Sequence, residues 1–253
     1  MRASRAVAFG ALLLLMALVV RAPARLLDSP LAQATQGRLH LAEPDGTVWN
    51  GRADVVVAGA ASRLPVQWHI DFLPLLTGSL RGTLQPSTGA AGPANFAVTR
   101  SETHIRDLAL ELPASMLMAL VPDPVAASAS AGGWLEMRVP ALDWRADAVD
   151  GNVSMRWRDA ALRVDALGQG VALGDVDIHA QGDGGRLNGS IVNEGGELAL
   201  AGSTSVGADG HVRLDLTGRP REGLDPQRAR TLDAILRSVA PVDGSGAFRV
   251  VIR

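Results

Sequence analysis

The chain has 253 residues, 47% of them hydrophobic, with 24 basic side chains against 26 acidic ones, a formal net charge of −2 and no cysteine. That composition supports an ordered core and lacks the basic excess that phosphate binding requires, so nucleic acid is not an expected partner. Disulfides, thiol nucleophiles and zinc–cysteine sites are excluded outright. Because lysine is absent too, a phosphate loop ending in Gly-Lys-Ser or Gly-Lys-Thr is impossible.

Residues 6–20 run without a charge, preceded by Arg2 and Arg5 and followed by Arg21 and Arg25. This is the layout of a secretory signal or of a signal anchor. A full span usually takes about 20 apolar residues, but flanking arginines can snorkel and lengthen the reach of a shorter one. Cleavage after Ala24 of Ala22-Pro23-Ala24 is the competing reading. Arg21 just ahead of that site and a proline inside it make a poor cleavage signal. The expectation is therefore a retained N-terminal transmembrane helix (residues 1–25, membrane segment 6–20), with the N-terminus inside and residues 26–253 exported.

The exported part reads as strands. Val66, Trp68, Ile70 and Phe72 share one face, with Gln67, His69 and Asp71 on the other, which is the period of a half-buried strand. The same alternation recurs at Leu135–Val139, Val153–Trp157, Val176–Ile178, Val212–Leu216 and Phe248–Ile252. Between these runs lie Gly132-Gly133, Asp150-Gly151-Asn152, Gly182 to Gly185, Gly195-Gly196 and Asp209-Gly210, all read as tight turns. Two short helices interrupt the pattern. Residues 113–121 form an apolar run stopped by Pro122 and Pro124. The other begins with Asp225 as N-cap and Pro226 at the first helical position. Its apolar stripe is Leu232, Ile235, Leu236 and Val239. The expected fold is mainly β: a curved antiparallel sheet, a meander that is open-barrel-like or groove-like. A small-residue, Pro- and Gly-rich stretch at 122–133 is a conceivable split between two sub-halves.

No constellation carries an obvious chemistry. Asp175, Asp177 and His179 project from one strand face, a donor set that could hold a cation, but alternation alone puts polar residues there. His69 and Asp71 are strand neighbours near no serine motif, and no G-x-S-x-G elbow is present. In Arg156-Trp157-Arg158 the indole points away from both guanidinium groups, which argues against a shared stacking site. Asn152 and Asn188 head glycosylation triplets that matter only in a eukaryotic secretory route. The most distinctive run is Gly46-Thr47-Val48-Trp49-Asn50-Gly51. It is expected to open a strand over residues 48–57, after a Pro44-Asp45-Gly46 turn. Trp49 would serve as an apolar anchor that pins the strand to the sheet.

Several of these pieces occur in a recognisable order. The apolar segment is followed by Arg21-Ala22-Pro23-Ala24-Arg25. Then come Gly37-Arg38-Leu39-His40-Leu41, the Gly46–Gly51 box, the strand Pro65-Val66-Gln67-Trp68 and Leu75-Leu76-Thr77-Gly78. A leucine-rich helix and a final strand close the chain. This resembles the type II secretion system protein N family of Gram-negative bacteria. The resemblance implies an inner-membrane, single-pass accessory protein with a periplasmic β-rich domain. Its partners would be other secretion components, on the inner-membrane platform or the outer-membrane secretin side. No catalytic residues and no cofactor come with it, and Gly46, Thr47, Trp49 and Gly51 enter as a structural family motif. Two alternatives stand beside it: a β-groove module that binds lipid or another hydrophobic ligand on the apolar sheet face, and a hydrolase using one of His40, His69, His104, His179 or His211.

Overall fold

A computed structural model describes residues 18–60, 62–87, 92–116, 129–164, 169–239 and 247–252. Thirteen strands follow one another in a single antiparallel sheet, and their order in space is their order in the chain. The first six are β1 (Leu39–Gly46), β2 (Asn50–Val57), β3 (Arg63–Ile70), β4 (Leu80–Pro86), β5 (Ala94–Val98) and β6 (Glu102–Pro113). Three long strands come next: β7 (Ala129–Arg145), β8 (Val149–Val164) and β9 (Gln169–Asp183). The last four are β10 (Arg186–Glu194), β11 (Leu198–Gly207), β12 (Val212–Pro220) and β13 (Phe248–Ile252). Since β1 and β13 do not pair, the sheet is open. Sequential strands joined by short connections form this meander because each new strand finds its partner at the lowest loop-closure cost.

Helices are few. A 3₁₀ turn, Ala24–Leu27, leads into α1 (Asp28–Ala34), α2 is the single turn Phe72–Leu75, and α3 is Pro226–Val239. The mainly-β fold agrees with the strand periodicity, and α3 begins as expected: the Asp225 carboxylate accepts from the backbone N–H groups of Gln227 at 2.8 Å and Arg228 at 3.3 Å. Among the described residues no helix is long and apolar enough to cross a membrane. Residues 1–17 of the expected anchor lie outside the description, and residues 18–20 are helical. Most of the apolar run at 113–121 also lies outside it. Pro113 ends β6 and residues 114–116 make a helical turn.

Four local expectations are corrected. Phe72 leaves the strand after Ile70 and starts α2, where Pro74 fits because the first turn of a helix needs no N–H from it. Pro44, Asp45 and Gly46 are the end of β1 and not a turn. The hairpin tip is residues 47–49, and β2 starts at Asn50. Gly132-Gly133 lies inside β7, at a register shift against β8. Gly133 has φ +91°, and a Cβ there would meet the Arg158 carbonyl at 2.3 Å, so the position accommodates a bulge and no turn. Asp150-Gly151-Asn152 likewise lies inside β8, opposite residues 141–143, and the hairpin closes at 146–148. Gly184-Gly185, Gly195-Gly196 and Asp209-Gly210 do sit in connections between strands.

Register shifts also fall between Arg138 and Ala141 of β7 and between Trp157 and Ala161 of β8. Each bulge bends its strand and increases the local twist. Three hairpin ends meet: Trp144 on β7 donates its indole N–H to the carbonyl of Ala208 in the β11–β12 turn at 3.0 Å, and the Ala208 N–H donates to the Gly185 carbonyl of the β9–β10 turn at 3.1 Å. On a flat sheet β7 and β11 would be roughly 19 Å apart, four spacings of about 4.8 Å. Val149, fully buried, packs there with Val139, Leu142 and Leu187. At the other end α3 lays Leu232, Ile235 and Leu236 across β9–β13, against Val171, Leu173, Val176, Ile191, Leu198, Leu200 and Phe248. Leu232 retains no solvent exposure.

Candidate interaction surface

The Gly46–Gly51 box forms the β1–β2 hairpin tip. Thr47 closes it: its N–H donates to the Asn50 carbonyl at 2.7 Å, and its hydroxyl accepts from the Asn50 N–H at 3.0 Å. Tryptophans brace the tip from two sides. Trp68 of β3 donates its indole N–H to the Val48 carbonyl at 3.0 Å and lies over Gly51. A Cβ at Gly51 would stand 2.4 Å from the Trp68 ring, so only glycine permits this stacking.

The second tryptophan faces the N-terminal segment. Trp49 donates its indole N–H to the Val19 carbonyl at 2.8 Å, the Val48 N–H donates to the Ala22 carbonyl at 2.8 Å, and Pro23 bridges to Thr47. Phe72 meets the Trp49 ring edge-on, with centroids 5.0 Å apart and planes at 87°, a favourable quadrupole geometry. The box is thus a joint: it fastens residues 19–23 to the sheet and to α2.

Around the joint the polar groups pair with one another. His69 Nδ1 is 2.5 Å from the Asn50 side-chain oxygen and its Nε2 is 3.2 Å from Asp71. Arg52 contacts Asp45 at 2.8 Å. Asp45, Asn50, Arg52 and His69 border an open depression of roughly 440 Å³ beside Trp68.

The other residues singled out from sequence do not gather into one place. Arg156 grips Asp177 with two hydrogen bonds, 2.8 and 3.0 Å, and this holds the Asp177 carboxyl below its usual value. Asp175 accepts from the Asp159 backbone N–H at 3.0 Å, so its carboxylate and that of Asp177 are engaged separately. Among the described residues no three His, Asp or Glu side chains converge on a metal-sized point. Trp157 packs inward with Leu135 and Met155 and donates to the Gly132 carbonyl, while Arg158 pairs with Glu111 on the polar side. His40 lies 3.6 Å from Asp28, His211 lies 3.1 Å from Asp209, and His104 shares Asp143 with Arg106. The hydrogen bonds from His104 and then Arg106 lower the Asp143 carboxyl.

Sequence reasoning missed one cluster. Glu197, at the β10–β11 turn, accepts twice from Arg228 of α3 and once from the Ala172 N–H, while Arg228 also reaches the Gly170 carbonyl. The Arg228 hydrogen bonds hold the Glu197 carboxyl below its ordinary value. Glu197 follows a glycine pair that reads only as a turn, and its partner is 31 residues away.

Fold and surface together define an open-sheet β protein whose distinctive motif joins an N-terminal apolar segment to the first hairpin. Residues 37–251 match the family described as type II secretion system (T2SS), protein N, and the chain belongs to that family. Type II secretion system protein N of Vibrio cholerae serotype O1 (strain ATCC 39315 / El Tor Inaba N16961) is 33% identical over 142 residues, which cover 53% of this chain and 55% of that protein. The chain thus spans about half the length of this curated relative in the matched region. No solved structure matches.

Proposed function

We propose that this protein is an accessory inner-membrane component of the type II secretion system, supporting export of folded proteins across the outer membrane. Residues 6–20 would hold it in the inner membrane as a single pass, with residues 26–253 in the periplasm as one β-rich domain. The observation that carries this reading is the family match over residues 37–251. The uncharged run at 6–20 between paired arginines supports the anchoring.

Its means of action is contact with other secretion components. The open sheet supports this: β13 ends the strand order with Val251 exposed, a place where a partner's strand can add. The apolar face of β9–β13 is already occupied by α3, which favours a scaffold over a lipid-holding groove. A photo-crosslinking residue placed at Val251 in cells tests the reading. Adducts with other secretion components are expected. A lipid retained by the purified protein in native mass spectrometry, with no protein adduct at Val251, would move the function to ligand binding.

A further inference from the structure

Exposed large apolar side chains are unevenly placed in this molecule. Among the described residues they include Leu18, Val19, Val20 and Leu26 near the start, and Leu73, Leu75 and Leu76 in and after α2. Leu73 and Leu76 are 74% and 73% exposed and Leu18 is 63% exposed. Trp134, Val192 and Val212 are isolated positions on strands and need no explanation.

The two groups are physically joined. The Val19 carbonyl is bonded to Trp49, and Trp49 meets Phe72, the residue next to Leu73, edge-on. The α2 turn therefore sits beside the point where the apolar segment 6–20 meets the sheet. The stretch between Asp71 and Arg81 carries no charge, and Arg21 and Arg25 nearby are exposed.

The backbone of this turn is prepared for an apolar medium. The Pro74 carbonyl accepts from the Thr77 N–H and hydroxyl and from the Ser79 N–H and hydroxyl, at 2.8–3.1 Å. The Leu73 carbonyl accepts from the Leu76 N–H, the Leu75 carbonyl from the Gly78 N–H, and Pro74 has no N–H to satisfy. Unsatisfied backbone groups are the main penalty for entering lipid; here the turn satisfies those carbonyls internally. Two leucines projecting from an internally bonded turn, with an indole alongside, match the chemistry of an interfacial membrane contact.

We infer that residues 72–76 are a second, shallow membrane contact, in which Leu73 and Leu76 enter the lipid interface beside the N-terminal segment and fix the tilt of the sheet against the bilayer. This rests on the reading that residues 6–20 hold the chain in a membrane. The occupant is the bilayer surface, because Trp49 and Phe72 tie this turn to Val19, among the residues that lead out of that segment.

The absence of cysteine makes the test direct. Single variants Leu73→Cys, Leu76→Cys, Leu18→Cys and Val192→Cys of the full chain are labelled with a polarity-sensitive fluorophore and reconstituted in phosphatidylethanolamine–phosphatidylglycerol vesicles. Labels at 73 and 76 are expected to shift to the blue and to be quenched by lipid brominated near the headgroup, while the label at 192 stays aqueous. Labels at 73 and 76 that match 192 overturn the inference. A blue shift that no brominated lipid quenches overturns it as well, since the patch is then covered by protein. The label at 18 separates the two readings: quenching there with an aqueous 73 removes the shallow contact alone, whereas an aqueous 18 removes the anchor, whatever 73 does.

Discussion

Trp49 donates its indole N–H to the carbonyl of Val19, 30 residues earlier, at 2.8 Å. One side chain of the Gly46–Gly51 box thereby ties the first described residues to the first hairpin. Trp49→Phe removes this hydrogen bond and keeps a ring against Phe72. Trypsin should then cut at Arg21 and Arg25 several-fold faster, with the global unfolding midpoint shifted by only about 1 kcal/mol or less, because local opening near a terminus is decoupled from global unfolding. Limited proteolysis with an unfolding curve on the same variant reads both.

Gly51 is predicted to tolerate no side chain. Gly51→Ala places a methyl against the Trp68 ring and should cost about 1–3 kcal/mol, the usual range for overpacking. Gly132→Ala is the control: its Cβ would meet the Ala161 methyl at 3.6 Å and the Ala161 carbonyl at 3.9 Å, both ordinary contacts, and the midpoint should hardly move. Chemical denaturation of both variants decides this.

The curl of the sheet rests in part on Trp144. Trp144→Phe leaves the Ala208 carbonyl without this donor and should lower stability by about 1–2 kcal/mol. Val192→Thr, at an exposed strand position, should stay within about 0.5 kcal/mol. A larger loss at 192 than at 144 would contradict the role given to the Trp144 bond.

The Glu197–Arg228 clamp makes stability depend on pH. Arg228 lowers the Glu197 carboxyl in the folded state. Its contribution is therefore complete above the ordinary glutamate value of about 4.3 and fades as pH falls through the lowered value. Arg228→Ala should cost about 2 kcal/mol at neutral pH and much less once Glu197 is protonated. Thermal unfolding of wild type and variant between neutral and acid pH should show the two curves converging. A constant gap would mean that Arg228 acts through packing alone.

Strand identity was legible where one face of a strand is buried, as in β7, where Leu135, Met137 and Val139 alternate with charged neighbours. Helix α3 was legible because its cap, its first-turn proline and its stripe are all local signals. What stayed hidden depends on register. A glycine with positive φ serves a turn or a bulge equally well, so Gly133 and Gly151 read as turns although both lie within long strands. Asp177 looked like a candidate cation ligand because nothing local reveals that Arg156 sits opposite it on the neighbouring strand. The box was visible as a motif, but its joint with Val19 and Phe72 was not, because those contacts cross the chain. Helix α1 is hidden in the sequence because its seven residues have no room for a periodic apolar stripe.

A role in type II secretion is the function we propose on the family match over residues 37–251. Its most direct test is the fraction of a folded exoprotein reaching the medium in a strain lacking the gene, with and without the full chain restored. A fall in secretion on deletion, with the exoprotein retained in the periplasm and recovered on complementation, is the predicted result. Secretion unchanged by deletion, at native expression of the other components, would contradict it.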